Sequence, residues 1–241
     1  MKIGVFTDSH YSSQVLTCRV RENRRSLEKM ERAFFTFQEE KCDLVICLGD
    51  LIDREEDHKK EIENLSAVAK QMDRFSFPVI CLMGNHDAFA FTVNEFYGVL
   101  GDNRRPKHLS LDGWDLIFLD TCYFSNGEHY APGDDNWKDT FCPFPEELEE
   151  ALSSAGENVV LWMHQNLDPN LPPHYCLSNA EKIREILEKS EKVRCVMQGH
   201  YHKGCRSVHN GISYTAFPAM CEREDAAFVL TEKDLKVSVK Q

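Results

Sequence analysis

The sequence predicts an α/β protein built on a parallel sheet, and three observations support this fold class. Strand-type and helix-type segments alternate in the order β-α-β-α-β between Lys2 and Met83, and this order produces parallel strands with helices packed on them. Polar residues of the kinds that bind metals follow five short apolar runs directly. After Cys205 only short β-type runs occur, which predicts antiparallel strands in that region.

Apolar residues define three strands and two helices in the first part of the chain. Buried-type residues run together at 2–7, 43–48 and 78–83, which predicts a strand at each place. From Arg24 to Glu40, apolar residues recur every three or four positions, the pattern of an amphipathic helix. The same spacing predicts a second helix from Lys59 to Phe75.

The second part of the chain alternates in the same way. Further buried-type strands are predicted at 114–119, 158–163 and 193–197. A short helix is predicted at 146–155, and a longer one ends at Lys189. Ser178, with Glu181 three residues later, has the pattern of a capping box that would begin this longer helix. The late β-type runs lie at 212–217, 226–231 and 235–239.

Residues 121–145 show no periodicity and are rich in Gly, Pro, Asp, Asn and aromatic residues. A loop this long in a compact domain is usually functional or disordered. We expect a single domain over 1–241, in which 121–145 is an inserted cap or lid near the strand ends. Its aromatic side chains could stack on a nucleobase or anchor the loop: Tyr123, Phe124, Tyr130, Trp137, Phe141 and Phe144.

Composition excludes several classes of function. Hydrophobic residues make up 42% of the chain and charged residues 28%, the proportions of a globular protein. The net charge of −12 argues against long nucleic acid as a partner, because such binding needs clustered Lys and Arg. The short basic clusters at 24–25 and 104–108 are interpreted as solvated surface. A small phosphate ester remains a possible substrate, since bound metal ions supply local positive charge.

The cysteine content and the lengths of the apolar runs help to predict the cellular compartment of the protein. Ten Cys residues include no CxxC pair, so zinc held by thiolates is the weaker alternative to free thiols. Cys47, Cys81 and Cys195 lie in predicted strands, where Cys serves as a small hydrophobe. No apolar run approaches the roughly 20 residues of a membrane span. We therefore expect a cytoplasmic protein with free thiols and no membrane contact; the sequence does not predict the oligomeric state.

The polar residues that follow the strands form a set of candidate metal ligands. They are Asp8, His10, Asp50, Asn85, His164, His200 and His202. Aspartate and histidine suit manganese, iron or zinc, and seven ligands exceed what one ion needs. Two ions that share a bridging carboxylate would use them all. Glycines at 49, 84 and 199 would permit sharp turns where a Cβ could obstruct the metals.

The ordered series D-x-H, G-D-x-x-D, G-N-H-[DE], H and G-H-x-H spans residues 8–202. All five blocks, in this order, resemble the calcineurin-like metallophosphoesterases. The resemblance implies a four-layer β-sandwich of two mixed sheets flanked by helices. It also implies a metal-dependent hydrolase of phosphate esters that uses two transition-metal ions and a water activated by them.

The resemblance assigns a role to each candidate residue. One ion takes Asp8, His10 and His202, the other takes Asn85, His164 and His200, and Asp50 bridges them. His86 would touch the substrate phosphate beside Asn85 and protonate the leaving oxygen. Asp87 would orient His86. Asp53 would support the site from behind the ligands, although a helix N-cap is an alternative role for its carboxylate.

Within the family, the spacing and the tail are most similar to the class III cyclic-nucleotide phosphodiesterase branch. The tail 210–219 and the strand end at Leu119-Asp120-Thr121 carry this similarity. One departure is 164–167, His-Gln-Asn-Leu, where that branch commonly has a His and a Pro after the ligand; we expect it to border the substrate. The predicted activity is therefore phosphodiester hydrolysis on a small substrate, with a nucleotide as one option. Phosphomonoester hydrolysis is an alternative, as is a non-catalytic binding module, which the complete ligand set disfavours.

Overall fold

The computed structural model describes residues 1–135 and 137–236, and its frame is a pair of mixed β-sheets. The first sheet has the strand order β10-β1-β2-β3. Its strands are β1 (Lys2–Phe6), β2 (Leu44–Cys47), β3 (Val79–Cys81) and β10 (Phe228–Thr231). The first three strands are parallel, and β10 pairs with β1 in the antiparallel sense.

The second sheet has the order β4-β5-β6-β7-β9-β8. Its strands are β4 (Leu109–Leu111), β5 (Trp114–Leu119), β6 (Val159–Met163), β7 (Val193–Gln198), β8 (Cys205–His209) and β9 (Ile212–Ala216). The central strands β5, β6, β7 and β9 are parallel, whereas β4 and β8 are antiparallel edge strands. The late strands thus include the predicted antiparallel pairs.

Helices connect the parallel strands. The described α-helices are α1 (Ser26–Glu39), α2 (His58–Met72), α3 (Asn85–Ala90), α4 (Val93–Leu100), α5 (Pro145–Ser154), α6 (Ala180–Ser190) and α7 (Glu232–Leu235). Short 3₁₀ turns lie at Asn23–Arg25, Asp102–Arg104, Pro173–Tyr175 and Met220–Glu222. None of the helices in the described part of the chain combines the length and the apolar character needed to cross a membrane.

Successive residues of a strand point to opposite faces of its sheet. The apolar core therefore has three layers, one between the two sheets and one under the helices on each outer face. In β2, Leu44 and Ile46 join the cluster between the two sheets, together with Val160 and Trp162 of β6. Because successive strand residues face opposite sides, Val45 instead packs under the helices on the outer face of the first sheet. Helices α5 and α6 cover the outer face of the second sheet in the same way. The predicted four-layer arrangement of two mixed sheets flanked by helices is confirmed.

Two local predictions about helix ends are wrong. Ser178 does not cap α6, because that helix begins one residue beyond Asn179, whose side chain instead bonds the backbone of Cys142. Asp53 does not cap α2, since the side chain of Asp57 accepts from the backbone N–H of Lys59 at 3.0 Å. In both cases a neighbouring polar residue of the same loop, Asn179 or Asp57, occupies the N-cap position. Sequence spacing alone does not distinguish between such neighbours.

The predicted strand at 235–239 lies mostly outside the described residues. Leu235 itself ends helix α7, and 237–239 are not described. The sequence did not predict α3, α4, α7, β4 and β8, which are short. Short elements show too few repeats of the apolar pattern to be recognised.

Candidate metal centre

The loops that follow β1, β2 and β7 hold their polar residues in an unusual backbone conformation. Asp8, His10, Asp50 and His200 have φ angles of 51°, 43°, 54° and 63°, in the left-handed region that most residues avoid. Backbone hydrogen bonds at 3.0 Å from Asp8 to Gly49 and from His10 to Asp50 fasten the first two loops together. Strained conformations of this kind persist where the surrounding structure enforces them, and they cluster at functional sites.

Glycine is required where these loops approach one another. A Cβ at Gly84 would collide with the carboxylate of Asp50, and one at Gly49 would lie 2.7 Å from Nδ1 of His164. Any larger residue at either position would therefore displace a candidate ligand. This bears out the expectation that these glycines permit close approach at the strand ends.

All seven predicted ligand residues meet at this edge of the two sheets. Oδ2 of Asp50 lies 3.5 Å from Nε2 of His10 and 3.3 Å from Nε2 of His164. Oδ1 of Asp8 lies 3.3 Å from Nε2 of His202. The Asp50 carboxylate therefore stands between two groups of imidazoles, in the position of a bridge.

The second group of donors closes around the same carboxylate. Oδ1 of Asn85 lies 3.2 Å from Nε2 of His164. The rings of His164 and His200 have centroids 5.1 Å apart, and one donor atom each of Asp50, His164 and His200 lies within 4.8 Å of the others. These residues come from β2, β3, β6 and β7, so only the folded sheets bring them together.

Three buried polar atoms of the candidate ligands have no hydrogen-bond partner within the described residues. They are Oδ1 of Asp8, Nδ1 of His10 and Nε2 of His200. An unpaired buried acceptor is costly, and the cost disappears when the atom ligates a cation. Since the remaining donors are nitrogens and oxygens of the types that transition metals prefer, the site fits metal ions.

Neighbouring groups fix which atom of each ligand faces the centre. Oδ2 of Asp8 accepts from Oγ1 of Thr7 at 2.6 Å and from the backbone N–H of His200 at 3.0 Å, which leaves Oδ1 for the centre. Nδ1 of His202 lies 2.6 Å from Oε1 of Glu222. Nδ1 of His164 donates to the carbonyl of Leu48 at 2.7 Å. Such contacts orient metal-binding histidines through the nitrogen that does not bind.

The charges of the centre are strongly coupled. Burial disfavours a charged carboxylate, but the surrounding histidines outweigh it and hold the pKa of Asp50 well below its usual range. Burial alone would lower the pKa of His164, yet the Asp50 carboxylate raises it to about 9. Burial, reinforced by the charge of His164, lowers the pKa of His200 to about 3. Metal binding to His164 therefore competes with protonation of its ring.

His86 stands at the rim of the centre and is oriented by Asp53. Nδ1 of His86 lies 2.8 Å from Oδ1 of Asp53, so Nε2 is the nitrogen left for a substrate. The backbone N–H of His86 donates to Oδ1 of Asp50 at 2.8 Å, which ties the residue to the central carboxylate.

The prediction that Asp87 orients His86 is wrong. Both oxygens of Asp87 accept backbone N–H groups, from Leu51 and Ile52 on one side and from Gly84 on the other. Its side chain is buried and braces the loops after β2 and β3. Burial, together with the nearby charge of Asp50, raises the pKa of Asp87 to about 7, against the lowering effect of those three donors.

Asp53 is held by residues that the sequence reading missed. Its Oδ2 accepts from Nδ2 of Asn23 at 2.9 Å and from Oγ1 of Thr17 at 3.1 Å, and Nη1 of Arg21 lies 3.5 Å away. These residues belong to the irregular segment between β1 and α1, which carries no strand-end signal. Asp53 thus connects this segment to His86, consistent with the supporting position expected for it.

A cavity of about 620 Å³ opens directly onto the centre. Asp50, His86 and His202 form part of its floor, and Trp137 and Tyr175 form part of its wall. The Trp137 ring lies 5.6 Å from that of His200, centroid to centroid. A volume of this size suits a small organic ligand.

The departure at 164–167 does not face this cavity, contrary to the expectation that it borders the substrate. Gln165 is fully buried and bonds Thr121. Nδ2 of Asn166 donates to the carbonyl of Gly199 at 3.2 Å. Both side chains bond groups behind the ligands, in the loop that follows β6.

The aromatic residues of 121–145 divide into two groups. Phe124 and Tyr130 pack together, with centroids 4.5 Å apart, in the core below the first sheet. Tyr123 contacts Phe144 at 5.9 Å, away from the metal centre. Trp137 alone among the named aromatics lines the cavity over the centre in the described part of the chain. The anchoring role is therefore observed for Phe124 and Tyr130, and stacking on a nucleobase stays a prediction for Trp137.

Comparison with known proteins agrees with this architecture and this centre. Residues 1–204 match the model of the calcineurin-like phosphoesterase family. The chain belongs to this family. It is accordingly a metal-dependent hydrolase of phosphate esters, of a family that uses two metal ions.

Individual relatives are more distant. The chain is 28% identical over 185 residues to the 3',5'-cyclic adenosine monophosphate phosphodiesterase of Haemophilus influenzae, a match that covers 74% of this chain and 61% of that protein. It is 23% identical to a probable cyclic nucleotide phosphodiesterase of Psychrobacter arcticus, over 89% of this chain and 74% of the relative. A dimetal phosphatase from Danio rerio has the same fold, with a TM-score of 0.80, 18% identity, and coverage of 95% and 91% of the two chains.

Proposed function

We propose that this protein is a phosphodiesterase that hydrolyses a small, nucleotide-like phosphodiester at a centre of two transition-metal ions. The observation that carries the proposal is the position of Asp50, whose Oδ2 lies 3.5 Å from one histidine of the first group and 3.3 Å from one of the second. A carboxylate so placed can bind two ions at once.

The proposed ligand sets follow from the donor groups around this carboxylate. One ion would be held by Asp8, His10 and His202, the other by Asn85, His164 and His200, and Asp50 would serve both. Manganese, iron and zinc all suit these donors. When bound, two such ions neutralise charge on the phosphate and activate the attacking water.

The residues of the chain have separate tasks in this reaction. Asn85 and His86 bind the phosphate at the rim of the centre. His86 holds a proton on Nε2 and delivers it to the leaving oxygen. Nδ1–H of the ring donates to the Asp53 carboxylate, which fixes the direction of Nε2, and the proton donor is the doubly protonated ring. Asp87 holds the loops after β2 and β3 in place and takes no part in proton transfer.

The cavity supports a substrate larger than a simple phosphate ester. Its volume of about 620 Å³ accommodates a nucleotide-sized group, and the Trp137 ring offers a surface on which a base can stack. The named activities of two relatives are cyclic-nucleotide hydrolysis, which fits the same substrate class. The net charge of −12 disfavours long nucleic acid.

We further propose that the chain acts as one domain in which 121–145 covers the centre. Three contacts support this role: the carbonyl of Phe89 accepts from Gly133 at 2.8 Å, Asp135 pairs with Arg54 at 3.1 Å, and Trp137 reaches the cavity. All ten thiols are free, which favours a reducing compartment such as the cytoplasm.

A substrate panel on metal-stripped protein tests this proposal. Bis- and mono-p-nitrophenyl phosphate, cyclic nucleotides and linear nucleotides are assayed after addition of manganese, iron or zinc. We expect metal-dependent turnover with kcat/KM higher for diesters than for monoesters. A consistent preference for monoesters would instead assign a phosphomonoesterase, and the absence of turnover with every metal would favour a binding module.

A further inference from the structure

Cys221 lies beside the donors of the first proposed ion, although no sequence motif marked it. It belongs to the 3₁₀ turn Met220–Glu222, which follows β9. One ring nitrogen each of His10 and His202 and the sulfur of Cys221 all lie within 4.8 Å of one another. Zinc–sulfur and zinc–nitrogen bonds are roughly 2.3 and 2.0 Å long, so one ion bridges a sulfur and a nitrogen up to about 4.3 Å apart, and the three atoms lie at the edge of that reach.

The turn that carries Cys221 is fixed against the ligand loop after β1. Its backbone N–H donates to the carbonyl of Asp8 at 3.1 Å, and that of Met220 donates to the carbonyl of Thr7 at 3.0 Å. The next residue, Glu222, holds Nδ1 of His202 at 2.6 Å. The thiol is thus positioned by the same contacts that position two of the metal ligands.

A second observation points to a bound cation at the same place. Oδ1 of Asp8 is buried, has no hydrogen-bond partner within the described residues, and lies 3.3 Å from Nε2 of His202. The Cys221 side chain is also fully buried, and its sulfur has no hydrogen bond within the described part of the chain. The thiol and the two imidazoles thus form one group, and the Asp8 carboxylate oxygen adjoins it at His202.

We propose that Cys221 is a thiolate ligand of the ion held by Asp8, His10 and His202. On binding, the thiol releases its proton to solvent and the sulfur forms a bond to the ion, with no change in oxidation state. The second position has only oxygen and nitrogen donors, from Asp50, Asn85, His164 and His200. Because thiolates prefer soft ions, the two positions differ in selectivity: the first prefers zinc or cadmium to manganese. This inference rests on the proposed two-metal centre.

Cobalt(II) reports the bond directly, without reference to turnover. Metal-stripped protein is titrated with Co²⁺, and we expect a near-ultraviolet thiolate-to-cobalt charge-transfer band that grows with one of the two equivalents. The band should be absent in Cys221→Ser. It should persist in Cys18→Ser, a matched control, because Cys18 borders the same cavity but is exposed and lies in none of the candidate donor groups described for this chain.

Zinc-loaded wild-type protein gives a test that does not depend on a variant folding. X-ray absorption should detect sulfur at about 2.3 Å from zinc. Competition between Cd²⁺ and Mn²⁺ should show that Cys221→Ser weakens binding of one Cd²⁺ by more than the roughly 10–100-fold that loss of an outer contact causes. The Mn²⁺ affinity should change much less.

The outcomes separate this inference from the proposed function. Two bound cobalt ions without a sulfur signal, or a charge-transfer band unchanged in Cys221→Ser, would overturn the role of Cys221 and leave the two-metal centre intact. Binding of fewer than two ions by the wild-type protein would overturn both.

Discussion

The ligand loops and the segment 121–145 are built differently, although both contribute to one cavity. The loops after β2, β3 and β7 line it, as does Trp137 of the segment. The ligand loops are short, buried and tied to one another, with four residues in the left-handed region. The segment is long and irregular; it is anchored by Phe124 and Tyr130 and reaches the cavity with Trp137. The first region places the candidate donors, and we propose that the second contacts the variable part of a substrate.

This contrast has a physical basis. A metal centre fails if a ligand moves by a fraction of an ångström, so its side chains need rigid support from packed neighbours. Substrate selection tolerates looser structure, because a stacking surface needs only to be within reach. We therefore expect substitutions in the loops to affect all substrates, and substitutions at the cavity wall to affect some substrates more than others.

The largest effect is expected for Asp50→Asn. Loss of the bridging charge leaves His10 and His164 without a common partner and weakens both metal positions. Activity on every substrate should fall by about 10³-fold or more, at least the scale of losing one preorganised electrostatic group. Metal analysis should show fewer than two ions per chain. Full activity with two bound ions would show that Asp50 is not the bridge.

The next largest effect is expected for His86→Ala. Removal of the proton donor should lower kcat by about 10²–10⁴-fold and leave the metal content unchanged. The loss should be smaller for p-nitrophenyl esters, because p-nitrophenolate leaves without protonation. Equal losses for good and poor leaving groups would assign His86 to phosphate binding alone.

A smaller effect should distinguish the two aspartates around His86. Asp53→Asn removes the charged partner of Nδ1, and we expect roughly a 10–100-fold loss of activity, the cost of an outer-shell contact. Asp87→Asn should change kcat little but lower the free energy of unfolding by about 2 kcal/mol, because it replaces a carboxylate that accepts backbone N–H groups. Denaturant unfolding and kinetics on both variants provide the measurement. The reverse pattern would restore Asp87 as the residue that orients His86.

Asp53 and Asp87 also show what could not be predicted from the sequence. The buried strands that precede the ligands, the two long helices and all seven candidate ligands could be placed, because strand ends and apolar periodicity are local signals. Asp53 and Asp87 could not be told apart, since both follow a strand closely and only the packing of the loops decides which one meets His86. Asn23, Glu222 and Cys221 had no local signal at all, because they reach the centre from turns distant in sequence.

The smallest effect is expected at the cavity wall, for Trp137→Ala. If a base stacks on this ring, its loss should weaken binding of a nucleotide diester by about 1–3 kcal/mol, seen mainly as a higher KM. Bis-p-nitrophenyl phosphate should be less affected. The matched control is Tyr123→Leu in the same segment, whose ring packs on Phe144 and does not line the cavity; its KM values should not change.

The KM values of the two variants show whether the cavity wall selects the substrate or the segment 121–145 only supports the ligand loops. A nucleotide-specific rise in KM for Trp137→Ala, with none for Tyr123→Leu, would assign substrate selection to this wall. Equal losses of kcat on all substrates in both variants would make the segment structural support for the ligand loops. No change in Trp137→Ala would move selection to the other side of the cavity, where Arg21 and Tyr201 also border it.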